Sequence, residues 1–291
     1  MQGWIIYNKR DAIENKSYIE WFIYECKKQD IQLTLLYREQ LTIGLKEGMY
    51  VVNYENKPIS LPDFIVIRTI EPLLQNTFEA LFIPTFNSFE VAYTFNHKSR
   101  TYLEMHRLGI PLLPTFFTTK SSFPTNPPLS YPFVIKEATG RGGKQVYYIE
   151  NEKDWKNVEK LIQSEDIIIQ DANVQLGKDV RVFVVGREIV AAVLRKNYND
   201  FRANYKLGGS AQLFHLTEAQ KVMVQKIIDH FNFGLVGIDF LIGHDNELLF
   251  NEIEDVVGSR ILSATTEINL LEKYVSLIKQ TVIHKKAQIT S

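Results

Sequence analysis

The sequence has a single cysteine, Cys26, among 291 residues, so no disulfide can form within the chain. That scarcity favours a reducing, cytoplasmic location over a secreted one. The sequence also lacks any apolar run near the roughly 18 residues that a membrane-spanning helix needs. The apolar stretch at residues 4–7 is too short for a signal peptide. We therefore expect a cytoplasmic protein with no membrane partner.

A surplus of one charge sign is missing as well. Lys and Arg number 33 and Asp and Glu number 34, which gives a formal net charge of −1. Such a chain has no bulk attraction to nucleic acid, so we expect no nucleic-acid partner. Hydrophobic residues make up 45% and charged residues 23%, which excludes a disordered chain. No repeat is present, and the length suggests about two domains.

Short apolar runs alternate with amphipathic stretches in the first third of the chain. Four runs are typical of strands, at residues 4–7, 31–37, 49–52 and 64–67. Residues 18–28 carry apolar side chains at helical spacing. This alternation predicts a parallel sheet with helices on its faces. Glycines do not follow the first strand, which disfavours a dinucleotide-binding dehydrogenase.

A different pattern follows this first third. Residues 96–108 predict a helix, and a loop rich in proline over residues 118–132 leads into several short strands. Near the end, residues 235–242 and 248–254 predict a hairpin joined by a polar turn.

That last hairpin places carboxylates in apolar strands. Glu252 and Glu254 share one strand face, and if Gly243 pairs with Leu248, Asp239 lies opposite Glu252. Clustered carboxylates repel one another unless a hard divalent cation neutralises them. We therefore predict a metal site here, with pairing to arginine or lysine as the alternative.

A glycine-rich turn at residues 139–144 joins two strands directly after Lys136. It is not a P-loop, because Ala138 and Gln145 stand where that loop needs glycine and a hydroxyl residue. The backbone amides of such a hairpin can cover phosphates, and a lysine beside it can hold a phosphate as a point charge. An ordinary hairpin turn and a surface lysine are the alternatives.

Two further segments are polar enough to bind a ligand. Residues 195–209 contain Arg195, Arg202 and a double glycine, and arginine suits phosphate or carboxylate. A solvated loop is the alternative. The strand at residues 167–170 ends at Gln170, where its backbone could face an adenine edge.

In this order the motifs resemble those of the ATP-grasp superfamily. They are most similar to RimK-type carboxylate–amine ligases, which include ribosomal-protein glutamate ligases and the LysX-type enzymes. The resemblance covers about residues 60–275. It rests on Asn96-His-Lys98, Val134-Ile-Lys136 with the glycines at 140–143, residues 170–186, Asp200-Phe-Arg-Ala-Asn204 with Gly208-Gly209, Gly237-Ile-Asp239, and Asn251-Glu252-Ile-Glu254.

The resemblance implies an α/β fold built from α+β subdomains. An N-terminal Rossmann-like preATP-grasp domain would span residues 1–95, and the ATP-grasp domain residues 96–285. The latter would divide into a lid subdomain at about 115–172 and a metal-binding subdomain at 173–285. We expect the N-terminal domain to help bind a substrate.

The resemblance also implies ATP and Mg²⁺ as cofactors, with two ions and with Mn²⁺ as a substitute. The residues implied to bind ATP are Lys98, Lys136, Gly140, Gly142, Gly143, Gln170, Asp171, Ala172, Asn173, Asp179 and Arg195. The implied metal ligands are Asp239, Glu252 and Glu254. The residues implied to steady an acyl-phosphate are Arg202 and Asn204.

One departure from the family pattern concerns the end of the last strand. The family usually has Glu-x-Asn, whereas Glu254 stands at the Asn position here, followed by Asp-Val-Val-Gly-Ser-Arg260. We keep Glu254 as a ligand because glutamate still offers oxygen, although its charge could instead recruit Arg260. The predicted substrate contacts are Arg68, Arg181, Gly209 and Arg260. For Arg68 a surface salt bridge is the alternative.

These implications predict an ATP-dependent ligase that forms an amide bond through an acyl-phosphate. Its partners would be small-molecule or peptide carboxylates and amines, with a protein tail as a further acceptor. A homo-oligomer is left open. The alternatives are an ATP-grasp kinase or phosphotransferase and a non-catalytic nucleotide-binding partner protein.

Overall fold

A computed structural model describes residues 1–143, 145–198, 200–203 and 209–290 of the chain, with the side chains of 289 and 290 left aside. The N-terminal elements are β1 (Gln2–Tyr7), α1 (Lys9–Glu14), α2 (Lys16–Lys28), β2 (Gln32–Tyr37), β3 (Leu41–Lys46), β4 (Met49–Tyr54), β5 (Lys57–Pro58), β6 (Phe64–Ile67), α3 (Pro72–Ala80), β7 (Thr85–Phe86) and α4 (Phe89–Phe95). The remaining elements are α5 (Lys98–Arg107), β8 (Thr115–Thr119), β9 (Phe133–Glu137), β10 (Val146–Ile149), α6 (Glu152–Val158), β11 (Asp166–Asp171), β12 (Lys178–Val185), β13 (Glu188–Lys196), β14 (Ser210–Phe214), α7 (Glu218–His230), β15 (Leu235–Ile242), β16 (Leu248–Glu254), α8 (Arg260–Thr265) and α9 (Leu270–Thr290).

The N-terminal strands β2, β1, β6 and β7 form a parallel sheet in that order. All four side chains of β6 are buried, as expected for a strand covered on both faces. The predicted parallel sheet is therefore confirmed. The predicted strand at residues 49–52 lies elsewhere, because β4 pairs antiparallel with β3 and β5 in a separate small sheet.

Two antiparallel sheets form the rest of the molecule. The lid sheet has the order β10-β9-β11-β8, and α6 packs on it through Trp155 and Val158. The central sheet has the order β14-β13-β12-β15-β16. Helices α5 and α7 cover one face of the central sheet with an apolar core. A capping box formed by Thr217 and Gln220 opens α7.

The strand β12 shows how the central sheet divides its two faces. Val180, Val182 and Val184 are buried in the core beneath α5 and α7. Side chains alternate along a strand, so Asp179 and Arg181 lie on the opposite face. That face is apolar farther along, where it packs against α8 and α9, and charged near the lid sheet.

The C-terminal helix α9 packs against the N-terminal elements of the chain. Its residues share one apolar core with α2 and with β1 and β6, and the rings of Phe22 and Tyr274 lie 5.6 Å apart. Lys279 donates a hydrogen bond of 2.7 Å to the carbonyl of Gln29. Within the part of the chain that the structure describes, no helix is long and apolar enough to span a membrane.

Candidate active site

A cleft of about 850 Å³, counted up to its open mouth, lies between the lid sheet and the central sheet. Apolar side chains such as Val134, Val174 and Leu241 line part of it. Eleven of the residues predicted to act at the site also line it: Lys98, Lys136, Gly140, Gly142, Gly143, Gln170, Asp171, Ala172, Asp179, Arg202 and Glu252. The fold thus gathers into one cavity residues that are distant in sequence.

Lys136 lies at the end of β9 and is buried in the floor of the cleft. Its ammonium donates hydrogen bonds of 2.8 Å to the side-chain oxygens of Gln170 and Asn251. Burial lowers the pKa of Lys136 to about 8, with the positive charge of Lys98 adding to the effect and Glu252 opposing it. Among the described residues no carboxylate lies within 4 Å of this ammonium, so its charge is met only by neutral oxygens.

Lys98, the first residue of α5, supplies a second positive charge. Its ammonium lies 3.7 Å from the carboxylate of Glu252 and donates to the carbonyl of Gly140. Its backbone amide donates to Ala138, which anchors the start of the helix beside the lid sheet. Two lysines therefore face the same cavity beneath the glycine-rich turn, a charge pattern that suits phosphate groups.

The flap, defined as residues 139–143, crosses the cleft and is held at several points. Arg202 donates a hydrogen bond to the carbonyl of Gly143, and Asp200 holds the Arg202 guanidinium at 2.7 Å. On the other side, Arg141 pairs with Asp255 at 3.2 Å. Gly142 adopts a φ of +61°, a conformation that glycine tolerates best.

Residues at the junction of the lid and central sheets line the cleft. Gln170 is fully buried and donates from its side chain to the Thr115 hydroxyl at 3.0 Å. Asp171 and Ala172 line the cleft beside it. Asn173 lies just outside the cavity, where its side chain contacts His244 at 3.1 Å. Backbone groups here lie next to apolar walls, as expected for a slot that takes a flat ring.

A buried ion network, formed by Asp179, Arg181, Arg195 and Asp239, lies on the charged face of the central sheet. Arg181 donates two hydrogen bonds of 2.7 Å to Asp239. Arg195 pairs with Asp179 at 2.6 and 2.5 Å and with Asp239 at 2.7 Å. Glu254 lies at the edge of the network, 2.6 Å from Arg181.

The pKa values of the two buried aspartates are shifted in opposite directions within this network. Burial alone would raise the pKa of Asp239, but Arg181 and Arg195 together outweigh it and hold that pKa below its usual value. For Asp179 burial prevails, and its pKa is raised in spite of Arg195. Asp239 accepts hydrogen bonds from both arginines, whereas Asp179 pairs with Arg195.

Within the described residues, the three predicted metal ligands do not converge on one point. Asp239 and Glu254 are committed to arginines, and only Glu252 lines the cleft. Among the described residues no three His, Cys, Asp or Glu side chains converge on one point. Asp239 and Glu254 instead follow the alternative prediction of pairing with arginine. Asp239 pairs with Arg181 and Arg195, and Glu254 pairs with Arg181, whereas the prediction had named Arg260. The geometry does not fit a site of three carboxylates.

The other predicted substrate residues are dispersed. Arg260 is exposed at the start of α8, and Gly209 directly precedes β14. Arg181 belongs to the buried ion network and does not itself line the cleft. Arg68 follows β6 in the N-terminal sheet. Asn204 lies outside the described residues.

Two features of the cleft were not predicted from the sequence. Asn251 meets Lys136, and the Tyr102 ring lies under the same ammonium with its centroid 5.9 Å away. Asp255 is buried and accepts a hydrogen bond of 2.9 Å from Asn96 besides pairing with Arg141. Burial raises the pKa of Asp255 in spite of these partners. In the sequence, the departure from the family pattern after Glu254 was the one sign that Asp255 has a role at this site.

A family model described as the RimK-like ATP-grasp domain matches residues 119–278. The chain belongs to the RimK-like ATP-grasp family. The resemblance and the ATP-grasp fold predicted from the motifs are thereby confirmed, whereas the domain limits and the Rossmann-like character of the N-terminal domain stay predictions.

The chain is also similar in sequence to curated relatives and in fold to solved structures. The MG011 homolog of Mycoplasma pneumoniae is 26% identical over 289 residues, which cover 97% of this chain and 93% of that protein. Glutamate–LysW ligase ArgX of Sulfurisphaera tokodaii is 25% identical over 238 residues, 77% of this chain and 84% of its own. The RiPP-associated ATP-grasp ligase of Chryseobacterium gregarium, solved with ADP and a leader and core peptide, superposes with a TM-score of 0.70 at 14% identity, covering 96% and 97% of the two chains.

Proposed function

We propose that this RimK-like protein is an ATP-dependent carboxylate–amine ligase that forms an amide bond through an acyl-phosphate. The observation that carries the proposal is the buried ammonium of Lys136, which the described residues meet with neutral oxygens only. A buried cation without an ionic partner is costly, and an anionic ligand such as a phosphate removes that cost. Lys98 and the flap lie at the same cavity.

Different residues of the cleft bind different parts of the nucleotide. Lys98 and Lys136 hold the phosphates as point charges, and the flap covers them with backbone amides. The backbone at Asp171 and Ala172 faces the adenine edge, and Val134, Val174 and Leu241 pack on its ring. Glu252 is the predicted metal ligand that remains at the cavity, and the other two stay with their arginines.

The reaction has two steps. A substrate carboxylate attacks the γ-phosphorus of ATP, the bond to the β-phosphate oxygen breaks, and ADP leaves. An amine then attacks the acyl carbon and loses a proton, and inorganic phosphate leaves. Arg202 lies under the flap, where its guanidinium can stabilise charge on the reacting acyl oxygen or the leaving phosphate. The closed flap excludes water, which would otherwise hydrolyse the acyl-phosphate.

The experiment combines ADP and phosphate release from Mg-ATP with a panel of amino acids and peptides, using hydroxylamine to trap an acyl-phosphate. We expect hydroxamate with one class of carboxylate, and its loss in Lys136→Met and Arg202→Gln. Arg187→Gln is the matched control, because Arg187 pairs with Asp229 on the exposed surface. ADP release with hydroxyl acceptors and no hydroxamate would instead establish a kinase. Tight ATP binding with no turnover on any substrate, peptides included, would refute the ligase.

A further inference from the structure

The N-terminal sheet has a switch point between β1 and β6. The chain leaves β1 toward β2 on one side, while β6 pairs with β1 on the other. Ligands of open parallel sheets bind outside the carboxyl ends of the strands at such a point. Tyr7 ends β1, and Arg68 directly follows β6. Two polar side chains therefore meet where the topology leaves a crevice.

Arg68 is held there by neutral groups. Its Nε donates to the Tyr7 hydroxyl at 3.1 Å, and its Nη2 donates to the Val257 carbonyl at 3.0 Å. The guanidinium carbon lies 5.1 Å from the ring centroid of Tyr18, on α2. Within the described residues no carboxylate lies within 4 Å of Arg68. Asp255, whose pKa is raised by burial in spite of the charge of Arg68, already pairs with Asn96 and Arg141.

Within the part of the chain that the structure describes, three hydrogen-bond donors at or beside Arg68 lack an acceptor. The Tyr18 hydroxyl is buried and has no hydrogen-bond partner among those residues. The Tyr7 hydroxyl accepts from Arg68, and its own proton meets no acceptor among the described residues. The Nη1 group of Arg68 is likewise without a partner there. Burial raises the pKa of Tyr18 to about 12, so its hydroxyl keeps its proton and remains a donor.

We propose that Arg68, Tyr7 and Tyr18 bind the non-reacting α-carboxylate of an amino-acid substrate. Convergent donors around a guanidinium match a carboxylate, which accepts several charge-assisted hydrogen bonds. The bond from Arg68 to Val257 ties this subsite to the segment after β16, and β16 carries Glu252 into the cleft. The carboxylate that reacts must reach the lysines of the cleft, so the one at Arg68 is a second carboxylate. This inference rests on the proposed ligase function.

The test uses the full chain with Mg-ATP and compares each active L-amino acid or peptide that carries a second carboxylate with its α-carboxamide, in which the reacting carboxylate is retained. We expect the wild type to prefer the acid by about tenfold or more in kcat/KM, because an amide loses the ionic bond. Tyr18→Phe should narrow that preference for the acid about fivefold and leave the KM for ATP unchanged. Removing a buried hydroxyl without a partner should not lower Tm.

Tyr24→Phe is the matched control, because Tyr24 lies on the same helix with its side chain exposed. Arg68→Lys keeps the charge and should lose the acid preference through the lost geometry. The inference is overturned if the wild type uses the acid and the amide equally well, or if Tyr18→Phe leaves the preference for the acid intact. In either case hydroxamate formation would still support the ligase. Absence of both ADP and hydroxamate with every substrate refutes the proposed function and this inference together.

Discussion

Arg181 binds Asp239 through two parallel hydrogen bonds of 2.7 Å, and the pair lies where the sequence predicted a metal ion. The geometry is the forked one by which guanidinium matches a carboxylate. Gly237 leaves room for it, since a Cβ there would lie 3.3 Å from the Arg181 side chain and 2.8 Å from Val257. The central sheet therefore contains its own counter-charges for Asp239.

This pairing makes Asp239 a stability residue. Asp239→Asn leaves Arg181 and Arg195 short of a buried partner, and we expect the free energy of unfolding in urea to fall by about 3–5 kcal/mol. The loss should be the same with and without Mg²⁺. Asp229→Asn, which breaks an exposed pair, should change it by less than about 1 kcal/mol. A wild type that Mg²⁺ stabilises only through Asp239 would contradict this prediction and restore the metal role.

The pKa of Lys136 predicts how ATP use depends on pH. Lysine is cationic below its pKa, so phosphate binding should be strong below about pH 8 and weaken as the pH rises through that value. The pH profile of kcat/KM for ATP reports the ionisation of the free enzyme, so kcat/KM should decrease as the pH rises through that value. In Lys136→Arg, which keeps its charge throughout, this decrease should be absent. A profile of Lys136→Arg that falls as the wild type does would assign the titration to another group.

The pair between Arg141 and Asp255 predicts a latch on the flap. Breaking it with Arg141→Gln should let the flap open more often and raise the KM for ATP about fivefold, since the pair joins a buried and a half-exposed side chain. More phosphate should also be released without amide product, because water reaches the acyl-phosphate. Arg187→Gln serves as the control. Unchanged KM and coupling in Arg141→Gln would show that the flap closes without this pair.

Two glycines near the cleft offer a matched test of backbone constraint. At Gly177, with φ +69°, a Cβ would lie 2.2 Å from the Asn197 carbonyl oxygen, whereas at Gly142, with φ +61°, it would meet nothing within 4 Å. Gly177→Ala should cost about 3 kcal/mol or more of unfolding free energy, because backbone must move. Gly142→Ala should cost about 1 kcal/mol. Equal losses in urea unfolding would contradict the steric argument.

The local geometry of the last hairpin was predictable, and its partners were not. Asp239 does lie opposite Glu252, as the hairpin pairing predicted. The assumed pair of Gly243 with Leu248 is wrong, since Ile242 pairs with Leu248 and an irregularity after Asp239 restores the register.

The arginines could not be found from one sequence alone, because partner choice depends on strand order. Arg181 and Arg195 lie 58 and 44 positions from Asp239 and reach it through neighbouring strands of the central sheet. Arg260, which is nearer in sequence, lies on another element and is exposed. The alternation of Asp179 and Arg181 in an otherwise apolar strand was the available sign of a charged sheet face.

The packing of α9 on α2 bears on how the chain is made. Gln29 and Glu272, which share a hydrogen bond, are separated by 243 positions, so α9 leaves the ribosome only after both antiparallel sheets have been synthesised. Until then Phe22 lacks its contact with Tyr274, and apolar surface left open in a nascent chain is prone to aggregate. The core that α2, β1 and β6 share with α9 is therefore completed only after α9 has been made, although the N-terminal sheet is synthesised first.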